Sequence, residues 1–159
     1  MSIRSASKAV IERDGYVLLQ RCRTKYNGEF YELPGGGQRQ YETMEQAVIR
    51  ECLEETGYTV RVERFLALHE EIMTSPSLRR RFPNYTHRVF HIFLCRVTDA
   101  RPATPTETDL RQIGLEWVPL PKISALTLRP AALRPVLADL LESGGMAYVK
   151  TEIIGEKKG

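Results

Sequence analysis

Short apolar runs separated by turn residues open the chain. Residues 6–12 and 16–22 are rich in β-formers and flank Asp14-Gly15, a hairpin signal because glycine accepts positive φ and aspartate tolerates it. A polar stretch at 23–28 leads to Phe30-Tyr31-Glu32-Leu33, a short strand stopped by Pro34-Gly35-Gly36-Gly37. The period then changes. Residues 42–56 are good helix formers throughout, with Thr43 placed to cap the first turn and Gly57 to stop the last. Strand-like runs resume at 58–69 and 85–97, on either side of a polar excursion at 74–84 that carries Pro76, Pro83 and Arg79-Arg80-Arg81. One more strand at 114–118 precedes a proline-punctuated turn. Residues 130–143 read as a helix in which Pro135 marks a kink or a later start. The tail 155–159 reads as a frayed end. Strands, helix, strands and helix in that order predict an α/β chain, a mixed sheet covered by helices.

Composition narrows this. The 159 residues hold no internal repeat, low-complexity tract or long linker, so 1–159 is expected to be a single domain. At 42% hydrophobic and 27% charged, with a mean hydropathy of -0.32, the chain can bury a core and still present a polar surface. No apolar stretch approaches the roughly 18 residues of a membrane helix, and the first residues lead into no signal-peptide core, so the expected location is cytoplasmic, with no membrane partner. A net charge of +3 is too mild to call for nucleic acid, yet it suits a small anionic substrate. Cys22, Cys52 and Cys95 are odd in number and widely spaced without a CxxC pair, which argues against a disulfide framework or a structural zinc site; they read as buried small hydrophobes. His69, His87 and His91 have no metal-binding spacing and read as core-edge residues, and Trp117 reads as core. The arginine run at 79–81 reads as a solvated loop.

The chemistry is concentrated at 36–58. At ~100° per residue, Glu51, Glu54 and Glu55 fall on one helix face, while Ile49, Cys52 and Leu53 face elsewhere and can pack. Three carboxylates on adjacent turns repel one another unless something positive sits among them. Arg50 can pair with Glu54 four residues on, and a hard divalent cation would offset far more, because magnesium takes carboxylate and carbonyl oxygens. Glycines at 35–37 let backbone turn sharply and approach a ligand, so a carbonyl there can add another oxygen. Carboxylates beside such a loop are equipment for holding phosphates. The residues alone therefore suggest metal-assisted cleavage of a phosphate anhydride. Without the glycines, a solvated acidic helix face would be the simpler explanation.

Gly36, Glu42, Arg50, Glu51, Glu54, Glu55 and Gly57 stand at the spacing of the Nudix box, and the chain resembles the Nudix hydrolase (MutT-like) family. Seven such matches arise by chance about once in 10⁸ windows if each type is taken at average usage. Two positions usually held by bulky aliphatics carry Cys52 and Tyr58, both apolar enough to pack. Outside the box, residues 31–36 look like the family's entry to its glycine loop and 115–120 like its closing strand, whereas 70–113 resemble little. The resemblance implies an α/β/α sandwich and hydrolysis of a nucleoside diphosphate linked to another group X, a nucleotide sugar such as ADP-ribose or a plain or oxidised nucleoside triphosphate. It implies Mg²⁺ (or Mn²⁺) held by Glu51, Glu54, Glu55 and a carbonyl at Gly35 or Gly36, with Gly36 the first choice. Arg50 would orient the carboxylates. The general base would be Glu51 or one of Glu70, Glu71, Glu107 and Glu116 outside the box. Arg21, Tyr31, Gly35 and Gly37 are candidates for contact with substrate, and the resemblance leaves room for a homodimer. The rival expectation is a non-catalytic nucleotide-binding regulatory module on the same fold, which would show eroded metal ligands.

Overall fold

The computed structural model describes residues 2–155. In chain order the elements are β1 (Arg4–Arg13), β2 (Tyr16–Thr24), β3 (Gly28–Glu32), β4 (Gly35–Gly37), α1 (Met44–Thr56), β5 (Val60–Met73) and α2 (Pro76–Arg81). They continue with β6 (His87–Val97), β7 (Gln112–Pro119), β8 (Leu128–Arg129), α3 (Leu137–Ser143) and β9 (Ala147–Ile154). The nine strands make one mixed sheet in the order β8-β3-β2-β1-β6-β5-β9, with β4 on β1 and β7 on β2. β1–β6, β3–β8 and β5–β9 run parallel and the other pairs antiparallel.

Alternation along β1 and β2 supplies two cores. Ala9, Ile11 and Leu18 face one side and pack with Phe93 and Cys95 against Val48 and Cys52 of α1. Val10, Val17 and Leu19 face the other side and pack with Leu66 and Ile92 against Leu137 and Leu140 of α3. Each fully buried aliphatic side chain contributes roughly 1.5–3 kcal/mol. Helices on both faces of a mixed sheet are the expected α/β/α sandwich. The hairpin at Asp14 and Gly15 is present, with φ of 53° and 79°.

Several boundaries differ from the sequence reading. α1 begins at Met44 rather than 42, because Thr43 and Gln46 form a reciprocal capping box: Gln46 N donates to Thr43 Oγ1 at 3.1 Å and Thr43 N to Gln46 Oε1 at 2.8 Å. Gly57 ends the helix at φ 75°. The buried stripe of α1 is Ala47, Val48, Cys52 and Thr56, and Leu53 is 42% exposed instead of packed. β5 runs on to Met73, past the expected end, since Glu70 and Glu71 find His87 and Arg88 across the ladder. The excursion at 74–84 holds the short α2, and Arg79 of the arginine run donates from Nε to Met73 O at 2.6 Å. The last helix starts only at Leu137, after a 3-10 turn at Ala131–Leu133; Pro135 has no N–H for an earlier turn, so it marks the later start. β9 is a strand the sequence reading did not contain. Of the tail at 155–159, Gly155 is exposed and 156–159 lie outside the described residues.

The three cysteines are buried and unpaired. Burial pushes the Cys22 thiol up to about 11 and the Cys95 thiol to about 12, which suits inert packing. Trp117 meets Tyr58 edge-on at 5.8 Å. Among the described residues, no helix is long and apolar enough to cross a membrane.

Candidate active site

The site is assembled where β4 lies between β1 and α1. β4 pairs antiparallel with β1, Ala6 opposite Gly37, Ser7 opposite Gly36 and Lys8 opposite Gly35. Gly35 is required there by backbone, and Gly36 by the present position of Glu51. Gly35 has φ 125°, and a Cβ on it would stand 2.2 Å from Ser7 O; one on Gly36 would stand 2.6 Å from the Glu51 carboxylate. The glycines thus let the α1 carboxylates rest against bare backbone.

Arg50 organises the carboxylates. It reaches Glu42 through two parallel hydrogen bonds, Nε to Oε1 at 2.7 Å and Nη2 to Oε2 at 3.0 Å. Its Nη1 donates to Glu51 Oε1 at 2.8 Å and to Glu54 Oε2 at 2.9 Å, and Nη2 also donates to Gly37 O at 3.0 Å. Those contacts match the five N–H donors of a guanidinium. The Arg50 guanidinium holds the Glu42 carboxyl down to about 2, helped by the Arg39 amide. Arg39 also closes on Glu54 Oε1 at 3.3 Å. Glu55 lies deeper: its Oε2 accepts from Gly35 N at 2.8 Å and Gln20 Nε2 at 2.7 Å. Burial pushes the Glu55 carboxyl above the usual range, with Lys8 opposing that shift.

The carbonyls of β4 have separate fates. Ala9 N donates to Pro34 O and Gln38 N to Ser5 O, so Ser7 and Gly36 between them form a hydrogen-bonded pair of the ladder. The Gly36 carbonyl, first choice as an oxygen ligand, is thereby turned to β1. The Gly35 carbonyl lies outside the ladder and accepts from Lys8 Nζ at 2.6 Å, beside Glu55. Gly35 is the better oxygen donor on this geometry.

The structure brings Glu51, Glu54, Glu55, Arg50 and the glycines at 35–37 together. It separates Arg21 and Tyr31 from them. These two are register partners on β2 and β3, and their side chains share Glu116: Tyr31 Oη donates to Glu116 Oε2 at 3.0 Å, and Arg21 Nε lies 3.7 Å from the same oxygen. By strand alternation that cluster lies on the α3 side, with Leu19, whereas the neighbouring Gln20 points to α1. The candidate bases outside the box also divide. Glu116 belongs to the Arg21 cluster, and Glu70 and Glu71 are engaged with His87 and Arg88. Glu107 is tied to α1: its backbone N and that of Thr106 both donate to Glu54 O at 2.9 Å.

The NUDIX domain profile matches residues 1–140. The chain belongs to the Nudix family. It is 32% identical over 108 residues to a human protein named 8-oxo-dGDP phosphatase NUDT18, a match covering 68% of this chain and 29% of that one. This Nudix chain spans under a third of the length of the curated relatives it matches. A MutT Nudix hydrolase from Burkholderia pseudomallei is 31% identical with a TM-score of 0.55, covering 76% of this chain and 86% of that one. A Nudix hydrolase from Nitrosomonas europaea superposes with a TM-score of 0.70 at 21% identity, over 92% and 93% of the two chains; at that identity the likeness is one of fold.

Two groups in the Nudix site escaped the sequence reading, Lys8 and Gln20. A lysine within the apolar strand run 6–12 was the available signal for Lys8. Nothing local distinguishes Gln20; its role follows from where the sheet puts β2 relative to α1.

Proposed function

We propose that this Nudix chain hydrolyses a phosphate anhydride in a nucleoside diphosphate linked to a further group X, using Mg²⁺ held by Glu51, Glu54, Glu55 and the Gly35 carbonyl. The supporting observation is the convergence of three carboxylates, one saturated arginine and a glycine strand. The donor set is all oxygen, which fits magnesium or manganese and not a soft ion. Arg50 occupies Oε1 of Glu51, and Gly35 N and Gln20 occupy Oε2 of Glu55, which leaves the second oxygen of each for a cation. Bound there, the dication would neutralise phosphate charge and acidify water.

The chain's own groups do the rest. Arg50 holds Glu54 through Oε2 at 2.9 Å, and the longer 3.3 Å contact of the exposed Arg39 is the one that would yield Oε1 to the cation. With Glu51 Oε2 given to the cation, the general base is assigned outside the box to Glu107, whose backbone is anchored to α1; Glu51 is the alternative where that oxygen is not a ligand. Water adds to phosphorus, the bridging oxygen leaves with its phosphate, and the carboxylate takes the proton. Gly35 and Gly37 present backbone to the phosphates. Arg21 and Tyr31 would meet only a part of the substrate that lies across the opposite face. The name of the human relative puts oxidised guanine nucleoside diphosphates first among substrates to try.

The test is a Mg²⁺-supplemented hydrolysis screen with products separated by anion exchange. Its panel holds oxidised and plain nucleoside di- and triphosphates, ADP-ribose, nucleotide sugars and dinucleoside polyphosphates. Turnover of one class is expected, lost with EDTA and restored by Mg²⁺ or Mn²⁺. Glu54→Gln should lower kcat by more than about 100-fold with the fold intact, because a direct ligand matters at least as much as an outer-shell partner. Turnover that survives chelation overturns the mechanism, and nucleotide binding without turnover favours the regulatory module.

A further inference from the structure

We propose a second metal site, formed by His69, Glu71 and Glu152 and suited to zinc or a similar borderline dication. It is independent of the function proposed above. His69 and Glu71 are two apart on β5 and share a face, and the parallel register sets Glu152 of β9 directly opposite Glu71. The register shifts between His69 and Glu70, where Lys150 is the extra residue on β9. This bulge turns two carbonyls onto one ring nitrogen: His69 Nδ1 lies 2.8 Å from Val149 O and 2.9 Å from Lys150 O.

A carbonyl can only accept, so Nδ1 carries the proton and a neutral ring has its lone pair at Nε2. That atom is fully buried without a hydrogen-bond partner. It faces Glu71 Oε1 at 3.7 Å and Glu152 Oε2 at 3.8 Å. Both distances exceed hydrogen-bond reach; burial opposes a charged ring, but Glu71 and the Val149 carbonyl raise the His69 pKa on balance, so an ion at Nε2 competes with a proton. The distances are close to what a metal needs. Tetrahedral zinc, with bonds of about 2.0–2.2 Å, separates its ligand atoms by roughly 3.3–3.5 Å, so the two His69 edges need a few tenths of an ångström of closure, and all three ligand atoms already lie within 4.8 Å of one another. A histidine that metal-binds through Nε2 commonly anchors Nδ1–H on a carbonyl, as His69 does.

The surroundings hold the three ligands in place. Arg88 takes Oε2 of Glu71, leaving Oε1 towards His69, and offsets one of the two carboxylate charges. Phe90 lies parallel to the imidazole, 9° between planes at 6.0 Å, and fixes its orientation. Glu70 bonds to His87 and to Thr151 on the opposite face, and the three take no part. Glu152 is 36% exposed in its side chain, so an ion can enter and keep a water as fourth ligand. One imidazole with two carboxylates selects against magnesium, so the two sites would sort their ions by chemistry. The bound ion would clip β9 to β5.

Cobalt(II) is the probe, titrated into the full chain with excess Mg²⁺ present. The expected result is one Co²⁺ per chain with the visible absorption of a tetrahedral site, displaced by Zn²⁺. His69→Gln and Glu152→Gln should each weaken binding by at least roughly 10–100-fold, and Glu54→Gln should leave it unchanged. Glu152 is half-exposed, so its variant keeps the test decisive if His69→Gln does not fold. Absence of a tetrahedral band, a band unaltered by Glu152→Gln, or a band lost in Glu54→Gln overturns the proposal. So does a nitrogen-15 NMR spectrum in which His69 is doubly protonated at neutral pH and unmoved by Zn²⁺.

Discussion

Glu42 and Arg50 meet through two parallel hydrogen bonds, and the pairing changes the carboxyl's acid chemistry. The folded chain holds Glu42 at about 2, against 4.5 for the unperturbed group. A depressed carboxyl stabilises the fold above its unfolded value, and that stabilisation disappears as pH falls from about 4.5 to about 2. Glu42→Gln should therefore cost about 1.5–3 kcal/mol at neutral pH, the usual worth of hydrogen bonds to a charged group. The variant should also lose less stability than the parent over that acid interval. Urea melts taken across pH check both; equal acid slopes would place the linkage elsewhere. At this scale the sequence was informative where chemistry dictates spacing. Glu51, Glu54 and Glu55 sit on one face as the helical period requires. Leu53 was misplaced because periodicity names a face without saying what covers it, and here the covered face is that of Val48 and Cys52.

At the scale of elements, α1 and β4 contrast. The helix was legible nearly to its ends, since its cap, its formers and its stop are all local. The glycines read as a loop, yet they form a strand on β1, where a side chain at Gly35 would run into the Ser7 carbonyl and one at Gly36 would displace the Glu51 carboxylate. Gly35→Ala tests that fit. Positive φ with a Cβ 2.2 Å from Ser7 O should destabilise by at least about 1–3 kcal/mol and misplace Glu55. Thermal unfolding with a kcat measurement checks it, and parental values in both would show that the strand can shift at little cost. β5 ran beyond its predicted end for a related reason. Glu70 and Glu71 look like the end of an apolar run until β6 sets Arg88 opposite Glu71 and His87 diagonally across from Glu70.

For the whole molecule, the pairings that were least legible are the parallel ones. β1–β6, β3–β8 and β5–β9 join segments far apart in sequence, and no local pattern reports them. β9 was missed on these grounds, although it covers one side of β5 and buries Val149. Removing residues from 146 onward should uncover that side of β5 as a free edge. Faster amide exchange along β5 and concentration-dependent association are expected, read by hydrogen exchange and light scattering; a monomer with unchanged exchange would show that β9 is dispensable. The site of α1 and β4 has the opposite character. Lys8, Gln20, the glycines and every box carboxylate lie within residues 4–56, ahead of β5. A ribosome therefore delivers the whole acidic cluster, with the arginine that neutralises it, before β5, β6 and β9, the three strands that complete the sheet beyond β1, have been translated.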